Sequence, residues 1–341
     1  MSASHLQVGI LGGGWPGQRH AEGFAASGVW NVAAIADTDP GRCAPLAHNY
    51  DAAALASSEE LFAHPALDAV VIALPTFLHH PMVLSALESG KHVLCEKPPA
   101  VNATEAAAMV EAAGRLNSVL SFGLQRRAMT TSVATHALIA EGALGEIYHA
   151  RAVYTRPWGA PTGAGGWFRD PARAGGGPLI DIGIHVLDLA WYLMGRPQPV
   201  AVSSVCHHRA AETDPLESAA FGLLRFEGGR SIQLEASWIL PQGDDALSVE
   251  LFGTGAGALV ERDRVTVTRV GKNGIDQATP PVSNGWPDSF IAPFRTQAQH
   301  FAAAVRGEGP PMTTAEDGLT LMRLIDAMYM SAREQREIRL T

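Results

Sequence analysis

Short apolar runs alternate with helix-like stretches through the first third of the chain. Runs that are almost wholly apolar predict strands at Leu6–Leu11, Trp30–Ala36, Ala69–Leu74, His92–Cys95 and Ser118–Gly123. Helical spacing between them predicts helices at His20–Ala26, Ser57–Ala63, Pro81–Ser89 and Thr104–Asn117. Strands without a polar face are usually buried between helices in a parallel sheet. The pattern therefore predicts an α/β domain with a doubly wound parallel sheet over residues 1–123.

The hydrophobic pattern changes after Gly123. Helices are predicted at Thr131–Glu141, Pro178–Met194 and Thr313–Arg336, and strands at Ala219–Phe226, Ser231–Trp238, Leu247–Phe252 and Ala258–Val270. Residues 227–230 predict the turn of a β-hairpin. Residues 253–257 are glycine-rich, but a strand follows them and we interpret them as a second hairpin turn. We expect an α+β second domain, residues 124–341, with a mostly antiparallel sheet.

Composition narrows the class of protein. With 47% hydrophobic and 17% charged residues among 341, the chain can bury the cores of two domains. The net charge of -9 argues against general attraction to nucleic acid or anionic membranes. No apolar stretch approaches the roughly 18 residues of a membrane span, and the pattern of a signal peptide is missing. Cys43, Cys95 and Cys206 are widely spaced, so we expect reduced thiols, no metal and a cytoplasmic location.

A glycine-rich motif follows the first predicted strand directly and leads into a helix. Its residues are Gly12, Gly13, Gly14, Trp15, Pro16 and Gly17, which have the spacing G-x-G-x-x-G. Gly12 permits a tight turn, Gly14 lets the backbone approach a pyrophosphate, and Gly17 allows close packing of helix on strand. The helix N-terminus adds free N–H groups and a partial positive charge. The motif predicts a dinucleotide site.

Asp37 indicates which dinucleotide is bound. It ends the second predicted strand, about twenty residues after Gly17. A carboxylate at this place accepts hydrogen bonds from the ribose hydroxyls of NAD and repels the extra phosphate of NADP. We therefore expect NAD, while Arg42 is near enough in the sequence to leave NADP open as the less favoured alternative.

Two polar segments end strands of the predicted parallel sheet, where ligands of such sheets bind. They are residues 74–79 and 95–98. Pro98 keeps Lys97 out of helical conformation, so the lysine can be aimed rigidly. It can donate to a substrate oxygen, and burial would lower its pKa toward proton transfer. A surface ion pair between Glu96 and Lys97 is an equal alternative on these residues alone.

Four polar side chains share one face of the otherwise apolar helix that follows the glycines at 175–177. They are Asp181, His185, Asp188 and Tyr192, spaced four, three and four apart. Buried ionisable groups are paired or used, so Asp181 and His185 are candidates for an orienting carboxylate and a base. A purely structural Asp–His pair stays open. A metal site with Asp188 is disfavoured because no further clustered ligands occur.

Taken in order, these segments resemble the Gfo/Idh/MocA family, named after glucose–fructose oxidoreductase, inositol dehydrogenase and a rhizopine-catabolism protein. The resemblance rests on the glycine loop, Pro75-Thr76-x-x-His79, Glu96-Lys97-Pro98 and Asp181-x-x-x-His185-x-x-Asp188, and lesser matches at residues 123–127, 142–147 and 302–311 extend it along the chain. It departs from the family pattern at Thr76, where many relatives carry asparagine, and at Trp15-Pro16. It implies an N-terminal Rossmann domain and a C-terminal domain with a large open sheet, often used for homodimer or homotetramer contacts.

The resemblance also implies roles for individual residues. Lys97, Asp181 and His185 would surround the reacting carbinol as the catalytic group. Residues expected to bind the cofactor are Gly12, Gly14, Trp15, Pro16, Asp37, Leu74, Pro75, Thr76, His79, Glu96, Lys97 and Gln125. Residues expected to bind substrate are Lys97, Arg127, Arg156, Trp158, Trp167, Asp181 and His185. Phe168 is a weaker candidate, and the aromatic residues of the long segment 157–178 have lid or interface packing as their alternative.

The expected function is an NAD(P)-dependent dehydrogenase or reductase. Hydride would pass between the nicotinamide cofactor and a secondary alcohol or ketone of a sugar, inositol or related polyol. Two alternatives stay open: an NAD-dependent glycosidase that works by transient oxidation, and a non-enzymatic NAD-binding regulator. The regulator is disfavoured because Lys97, Asp181 and His185 occur together.

Overall fold

A computed structural model describes residues 5–159, 166–209, 215–272, 274–282 and 288–340. The chain divides into two compact units. The first comprises residues 1–128 and 286–322, and the second comprises residues 129–285 and 323–341. The predicted boundary lies between residues 123 and 124, so the predicted second domain includes residues 286–322, which the structure places in the first unit.

The first unit contains a six-stranded parallel sheet between helices. Its strands are β1 (Leu6–Leu11), β2 (Trp30–Ala36), β3 (Ala53–Leu55), β4 (Ala69–Ile72), β5 (His92–Cys95) and β6 (Leu120–Phe122). Its helices are α1 (Trp15–Ala26), α2 (Pro40–Asn49), α3 (Ser58–Phe62), α4 (His79–Glu88) and α5 (Ala103–Arg115). The strand order is β3-β2-β1-β4-β5-β6, which confirms the predicted doubly wound sheet.

Two elements within residues 1–128 are missing from the sequence prediction. Helix α2 contains Pro45 and begins at Pro40, so its apolar periodicity is weak. Asp39 caps it by accepting a hydrogen bond from the backbone N–H of Gly41. Strand β3 has only three residues and no continuous apolar run, which leaves little pattern to detect.

The second unit contains a nine-stranded mixed sheet. Its strands are β7 (Ile147–Thr155), β8 (Pro199–His207), β9 (Ala219–Phe226), β10 (Ser231–Ser237), β11 (Ala246–Gly253), β12 (Gly257–Val260), β13 (Val265–Gly271), β14 (Gly274–Ala278) and β15 (Ile338–Arg339). The order is β14-β13-β12-β11-β7-β10-β9-β8-β15. Neighbouring strands are antiparallel except for β7 and β10, which confirms the mostly antiparallel sheet. Both predicted hairpin turns occur, between β9 and β10 and between β11 and β12.

The helices of this unit are α6 (Thr130–Ala140), α7 (Pro171–Ala174) and α8 (Ile184–Leu193). The helix predicted at 178–194 is not uniform, because a π-helical turn, Leu179–Gly183, precedes α8. A Cβ on Gly183 would lie 3.0 Å from Cβ of Ala236, so the glycine lets this turn lie against β10. π turns are rare and occur often at functional sites.

Two further helices, α9 (Asp288–Val305) and α10 (Ala315–Glu334), follow late in the chain. Helix α9 packs in the core of the first unit, where Trp30 donates a hydrogen bond from Nε1 to the carbonyl oxygen of Ala298 at 2.8 Å and stacks on Phe301. No helix is predicted from the sequence over residues 288–305, which are included in the predicted second domain only by their position in the chain. Within the described helices, none is both long and apolar enough to cross a membrane.

Candidate active site

The glycine loop after β1 is built for the close approach of a ligand. Gly12 has a φ of +104°, and a Cβ there would lie 2.4 Å from the carbonyl oxygen of Ala73. A Cβ on Gly17 would lie 1.8 Å from the carbonyl oxygen of Gly12. A Cβ on Gly14 would make only an ordinary contact, 3.9 Å from Cδ of Pro16, and Gly14 begins α1 without a side-chain cap. The N–H groups of this helix start are therefore offered to an anion, as the pyrophosphate of a dinucleotide requires.

Asp37 is bonded to the glycine loop. Its Oδ2 accepts a hydrogen bond from the backbone N–H of Gly13 at 2.7 Å, and its Oδ1 accepts one from the N–H of Asp39 at 2.8 Å. Arg42 pairs with Asp39 across 2.9 Å, and this hydrogen bond lowers the pKa of the Asp39 carboxyl. The Asp37 carboxylate, at the end of β2, thus supports the glycine loop. The guanidinium of Arg42 is engaged by the Asp39 carboxylate.

His79 joins the two segments that follow β4 and β5. Its Nδ1 lies 2.8 Å from the carbonyl oxygen of Pro98, and its Nε2 lies 2.8 Å from that of Leu74. The imidazole is wholly buried, and burial lowers its pKa. Thr76 is also buried and begins a short 3-10 turn, Thr76–Leu78. The predicted cofactor segments therefore both contact this side chain, and the neutral imidazole donates a hydrogen bond to one of the two carbonyl oxygens.

Glu96, which directly precedes Lys97 in the chain, is buried and not a surface residue. One carboxylate oxygen is 2.7 Å from Nε2 of His20, and the other accepts a hydrogen bond from the backbone N–H of Lys97 at 3.0 Å. Burial raises the pKa of Glu96, but hydrogen bonding to His20 and nearby positive charge outweigh it, so the pKa stays below its ordinary value. A Cβ on Gly123 would lie 2.8 Å from this carboxylate. The Lys97–Pro98 peptide is cis.

The second unit carries Asp181 in the π turn and His185 in the first turn of α8. Each is 9% exposed, whereas Asp188 is completely buried. Asp181 and His185 therefore keep some access to solvent that Asp188 lacks. Trp238, at the end of β10, donates a hydrogen bond from its indole Nε1 to Oδ2 of Asp181 at 3.2 Å. A carboxylate oriented by a fixed donor, with an imidazole four residues further along the chain, is suited to general acid–base chemistry.

Several predicted substrate residues lie near the same strand end. The backbone N–H of Arg156 donates to the carbonyl oxygen of Ser237, and that of Gly159 donates to the carbonyl oxygen of Trp238. The ring of Phe168 lies 5.8 Å from that of Trp238 and 4.8 Å from that of Trp167. Trp158 lies between these anchored positions and is 69% exposed. The ring of Phe168 thus lies beside Trp238, the tryptophan that hydrogen-bonds to the Asp181 carboxylate.

Arg127, which the sequence predicts to bind substrate, makes buried contacts within the protein. Its guanidinium is buried, and Nη1 donates to Oδ2 of Asp317 at 2.7 Å and to the carbonyl oxygen of Met312 at 2.9 Å. These contacts fasten the turn Gln125–Ala128 to the start of α10, so we expect Arg127 to stabilise the fold. Gln125 differs, because its Oε1 is buried with no hydrogen-bond donor among the described residues. An open acceptor in a predicted cofactor residue fits a bound dinucleotide.

Sequence reasoning did not identify four residues that contact the candidate site. They are His20, Glu217, Trp238 and Tyr329. Glu217 accepts hydrogen bonds from the backbone at the start of the π turn, and Tyr329 donates to Glu217. Each is far in sequence from its partner, so no local spacing reveals the pairing. The described residues contain no group of three or more His, Cys, Asp and Glu side chains placed for a metal ion.

Comparison with known proteins adds independent findings. The family model described as "Oxidoreductase family, NAD-binding Rossmann fold" matches residues 6–124. The model described as "Oxidoreductase family, C-terminal alpha/beta domain" matches residues 136–340. Both models carry the Gfo/Idh/MocA designation.

Individual proteins are similar over most or all of the chain. A D-glucoside 3-dehydrogenase of Escherichia coli is 31% identical over 97% of this chain and 97% of that protein. A levoglucosan dehydrogenase of Pseudarthrobacter phenanthrenivorans is 31% identical over 76% of this chain and 68% of that protein. The crystal structure of GenD2 from gentamicin A biosynthesis, in complex with NAD, superposes with a TM-score of 0.85 at 26% identity. That match covers 100% of this chain and 98% of GenD2.

Proposed function

Because the chain belongs to the Gfo/Idh/MocA oxidoreductase family, we propose that it oxidises a secondary alcohol of a sugar, inositol or related polyol, or reduces the corresponding ketone. The observation that carries this proposal is the placement of Asp181 and His185. An otherwise apolar helix holds both side chains at its partly accessible face, with Asp181 fixed by Trp238. Buried ionisable groups are costly, so this arrangement favours use in chemistry.

NAD, bound at the glycine loop, supplies the hydride acceptor for the oxidation. The residues that would hold it fit this role: Gly14 leaves room over the uncapped start of α1, and Gln125 offers an open acceptor. Asp37 supports a preference for NAD over NADP because its carboxylate would repel a ribose phosphate. Arg42 is engaged by Asp39, which makes it a weaker phosphate ligand.

The protein side chains manage the proton of the reacting hydroxyl. His185 accepts this proton, and Asp181 stabilises the imidazolium that forms. Lys97 donates a hydrogen bond to the reacting oxygen as negative charge develops there. Glu96 accepts a hydrogen bond from the backbone N–H of this lysine, and His79 contacts the carbonyl oxygen of the following Pro98, which keeps the donor in place.

The relatives guide the choice of substrate. The two curated relatives are dehydrogenases of a D-glucoside and of levoglucosan. We propose that the substrate of this protein likewise contains a pyranose ring. Its hydroxyls would contact Arg156, and its faces would contact Trp158, Trp167 and Phe168. Aromatic side chains suit the apolar faces of a sugar ring, while charged and polar groups select its hydroxyls.

We also propose a cytoplasmic homodimer or homotetramer assembled through the nine-stranded sheet. Val205 on β8 and Leu223 on β9 are 52% and 44% exposed. They lie on adjacent strands of the sheet, so they offer apolar surface that a second copy would cover.

A substrate screen tests the proposed function. Purified protein is given NAD and, in parallel, NADP with a panel of glycosides, anhydrosugars and inositols, and NADH or NADPH fluorescence is followed. We expect NADH from at least one pyranoside. Release of an aglycone without net NADH would instead indicate the glycosidase alternative, and NADH binding without turnover on any substrate would indicate a regulator.

A further inference from the structure

We propose that Glu217, supported by Tyr329, is a positioning residue that holds the start of the helix bearing Asp181 and His185. This inference rests on the proposed function of those two residues. Glu217 lies between β8 and β9 and is 4% exposed. It has no counterpart among the residues that the resemblance assigns to the reaction.

Three donors meet at the Glu217 carboxylate. Oε2 accepts a hydrogen bond from the backbone N–H of Gly177 at 2.9 Å, and Oε1 accepts one from the N–H of Leu179 at 3.1 Å. Oε1 also accepts from the hydroxyl of Tyr329 on α10 at 2.9 Å. The two backbone groups bracket Pro178, which directly precedes the π turn, and Asp181 follows two residues after Leu179. A carboxylate bonded to both groups fixes the position of this turn against the sheet.

The glycine triplet is shaped around this contact. A Cβ on Gly176 would lie 2.0 Å from the hydroxyl oxygen of Tyr329. A Cβ on Gly177 would lie 2.2 Å from the carbonyl oxygen of Glu217 and 2.9 Å from its carboxylate. Any side chain at either position would push the Glu217–Tyr329 pair away from the turn. In the structure these glycines allow the close approach that the pair needs.

The burial of Glu217 and Tyr329 and the pKa shifts of both side chains agree with a specific positioning role for the pair. Burial raises the pKa of Glu217, although its hydrogen bonds pull the pKa down. Burial and the neighbouring Glu217 raise the pKa of Tyr329 well above its ordinary range. The phenol is therefore a donor to the carboxylate throughout the neutral range. A buried carboxyl is costly to keep, and here it satisfies two backbone donors at the start of a helix.

The pair acts on the reaction through geometry alone. Neither residue is assigned a contact with substrate or cofactor, and the glycine loop lies in the other unit. Loss of the clamp would let the π turn shift, which displaces Asp181 and His185 from their working positions. Displacements of about 1 Å near reacting groups cost on the order of 100-fold in rate.

The test compares Glu217→Gln and Tyr329→Phe with the control Ser204→Ala. Ser204 also ties the sheet to α10, because its hydroxyl donates to the carbonyl oxygen of Met328, but it does not contact residues 177–179. The readouts are kcat, KM, NADH affinity by fluorescence titration, thermal unfolding midpoint, and amide hydrogen exchange of the peptide covering 175–182.

The expected result is a kcat lowered about 10- to 100-fold in Glu217→Gln and about 2- to 5-fold in Tyr329→Phe. Amide hydrogen exchange at 175–182 should rise more in Glu217→Gln than in Tyr329→Phe. NADH affinity should stay within twofold of the wild-type value, and Ser204→Ala should retain wild-type kcat. Should Glu217→Gln fail to fold, Tyr329→Phe carries the same comparison.

Two results would overturn the proposal. One is a wild-type kcat and unchanged exchange at 175–182 in both variants. The other is a kcat that falls only in proportion to the unfolded fraction of each variant. Failure of the proposed function is distinguishable, because the wild-type protein itself would then give no turnover while exchange at 175–182 still reports on the clamp.

Discussion

The indole N–H of Trp238 donates a hydrogen bond to Oδ2 of Asp181, and the two atoms are 3.2 Å apart. The contact joins the end of a central strand to the π turn, across 57 residues of sequence. Trp238 is 3% exposed, so the donor has little rotational freedom. One oxygen of the proposed orienting carboxylate is therefore fixed by a rigid ring.

Replacing Trp238 by phenylalanine should separate the orientation of Asp181 from the binding of the cofactor. The variant keeps most of the ring but removes the donor, so Asp181 loses a charge-assisted hydrogen bond. We expect kcat to fall about 10-fold with little change in NADH affinity. Trp191→Phe is the matched control, because Trp191 is equally buried and donates to the carbonyl oxygen of Pro197 at 2.9 Å. Equal kcat values in the two variants would contradict the assignment.

Asp37 should control the choice of cofactor. Asp37→Ser removes the charge that repels a ribose phosphate and also weakens the contact to Gly13. We expect NAD to bind at least about 10-fold more weakly and the ratio of NAD to NADP affinity to fall. Asp39→Asn is the companion variant: it frees Arg42 and should strengthen NADP binding without weakening NAD. Fluorescence titration with both reduced cofactors measures these changes, and an unchanged ratio in Asp37→Ser would count against the role of Asp37.

Arg127 should matter for stability and not for substrate binding. Arg127→Met leaves Asp317 buried without this cation, which costs about 3–5 kcal/mol of unfolding free energy. Denaturant unfolding should show this loss, while the KM of the folded variant stays near the wild-type value. Arg151→Met is the control, since Arg151 pairs with Glu250 at the surface and should cost under about 1 kcal/mol. A raised KM with unchanged stability would restore Arg127 as a substrate ligand.

Buried His79 should make stability depend on pH. Its folded-state pKa lies below the ordinary value of 6.5, so the folded protein binds fewer protons than the unfolded chain. Its contribution is complete above the unfolded pKa and is lost as pH falls toward the folded pKa. We expect the thermal unfolding midpoint of the wild type to decrease as the pH is lowered from about 7.5 to about 5.

His79→Gln isolates this contribution. The variant should be less stable at neutral pH, because the bridge between Leu74 and Pro98 is weakened, and its midpoint should fall less on acidification. His92 and His149 also have pKa values lowered by burial, so part of the pH dependence should persist. An identical pH dependence in wild type and variant would exclude His79 as a contributor.

The sequence was most informative where pattern and chemistry are local. Strands β1, β2 and β5 have the predicted bounds, because a buried parallel strand is a continuous apolar run. The glycine loop was recognisable because its glycines have the spacing G-x-G-x-x-G directly after a strand, and a Cβ on Gly17 would lie 1.8 Å from the carbonyl oxygen of Gly12, five residues earlier. Asp181 and His185 stood out as polar positions in an apolar helix.

Long-range contacts lay beyond the sequence patterns. The pairs His20–Glu96, Glu217–Tyr329 and Trp238–Asp181 span 57 to 112 residues, and a single chain gives no sign of such pairing. The π turn was missed because one additional residue per turn leaves the apolar periodicity almost unchanged. Strand β7 was missed because charged and apolar residues mix along it, although it lies in the middle of its sheet.

The most direct test of the account is NADH formation by the wild-type protein and by His185→Ala and Lys97→Met on the best substrate of the pyranoside panel. We predict steady NADH production by the wild type and a loss of at least about 100-fold in kcat for each variant, with NADH affinity retained. Wild-type rates in both variants would contradict the proposed roles of His185 and Lys97.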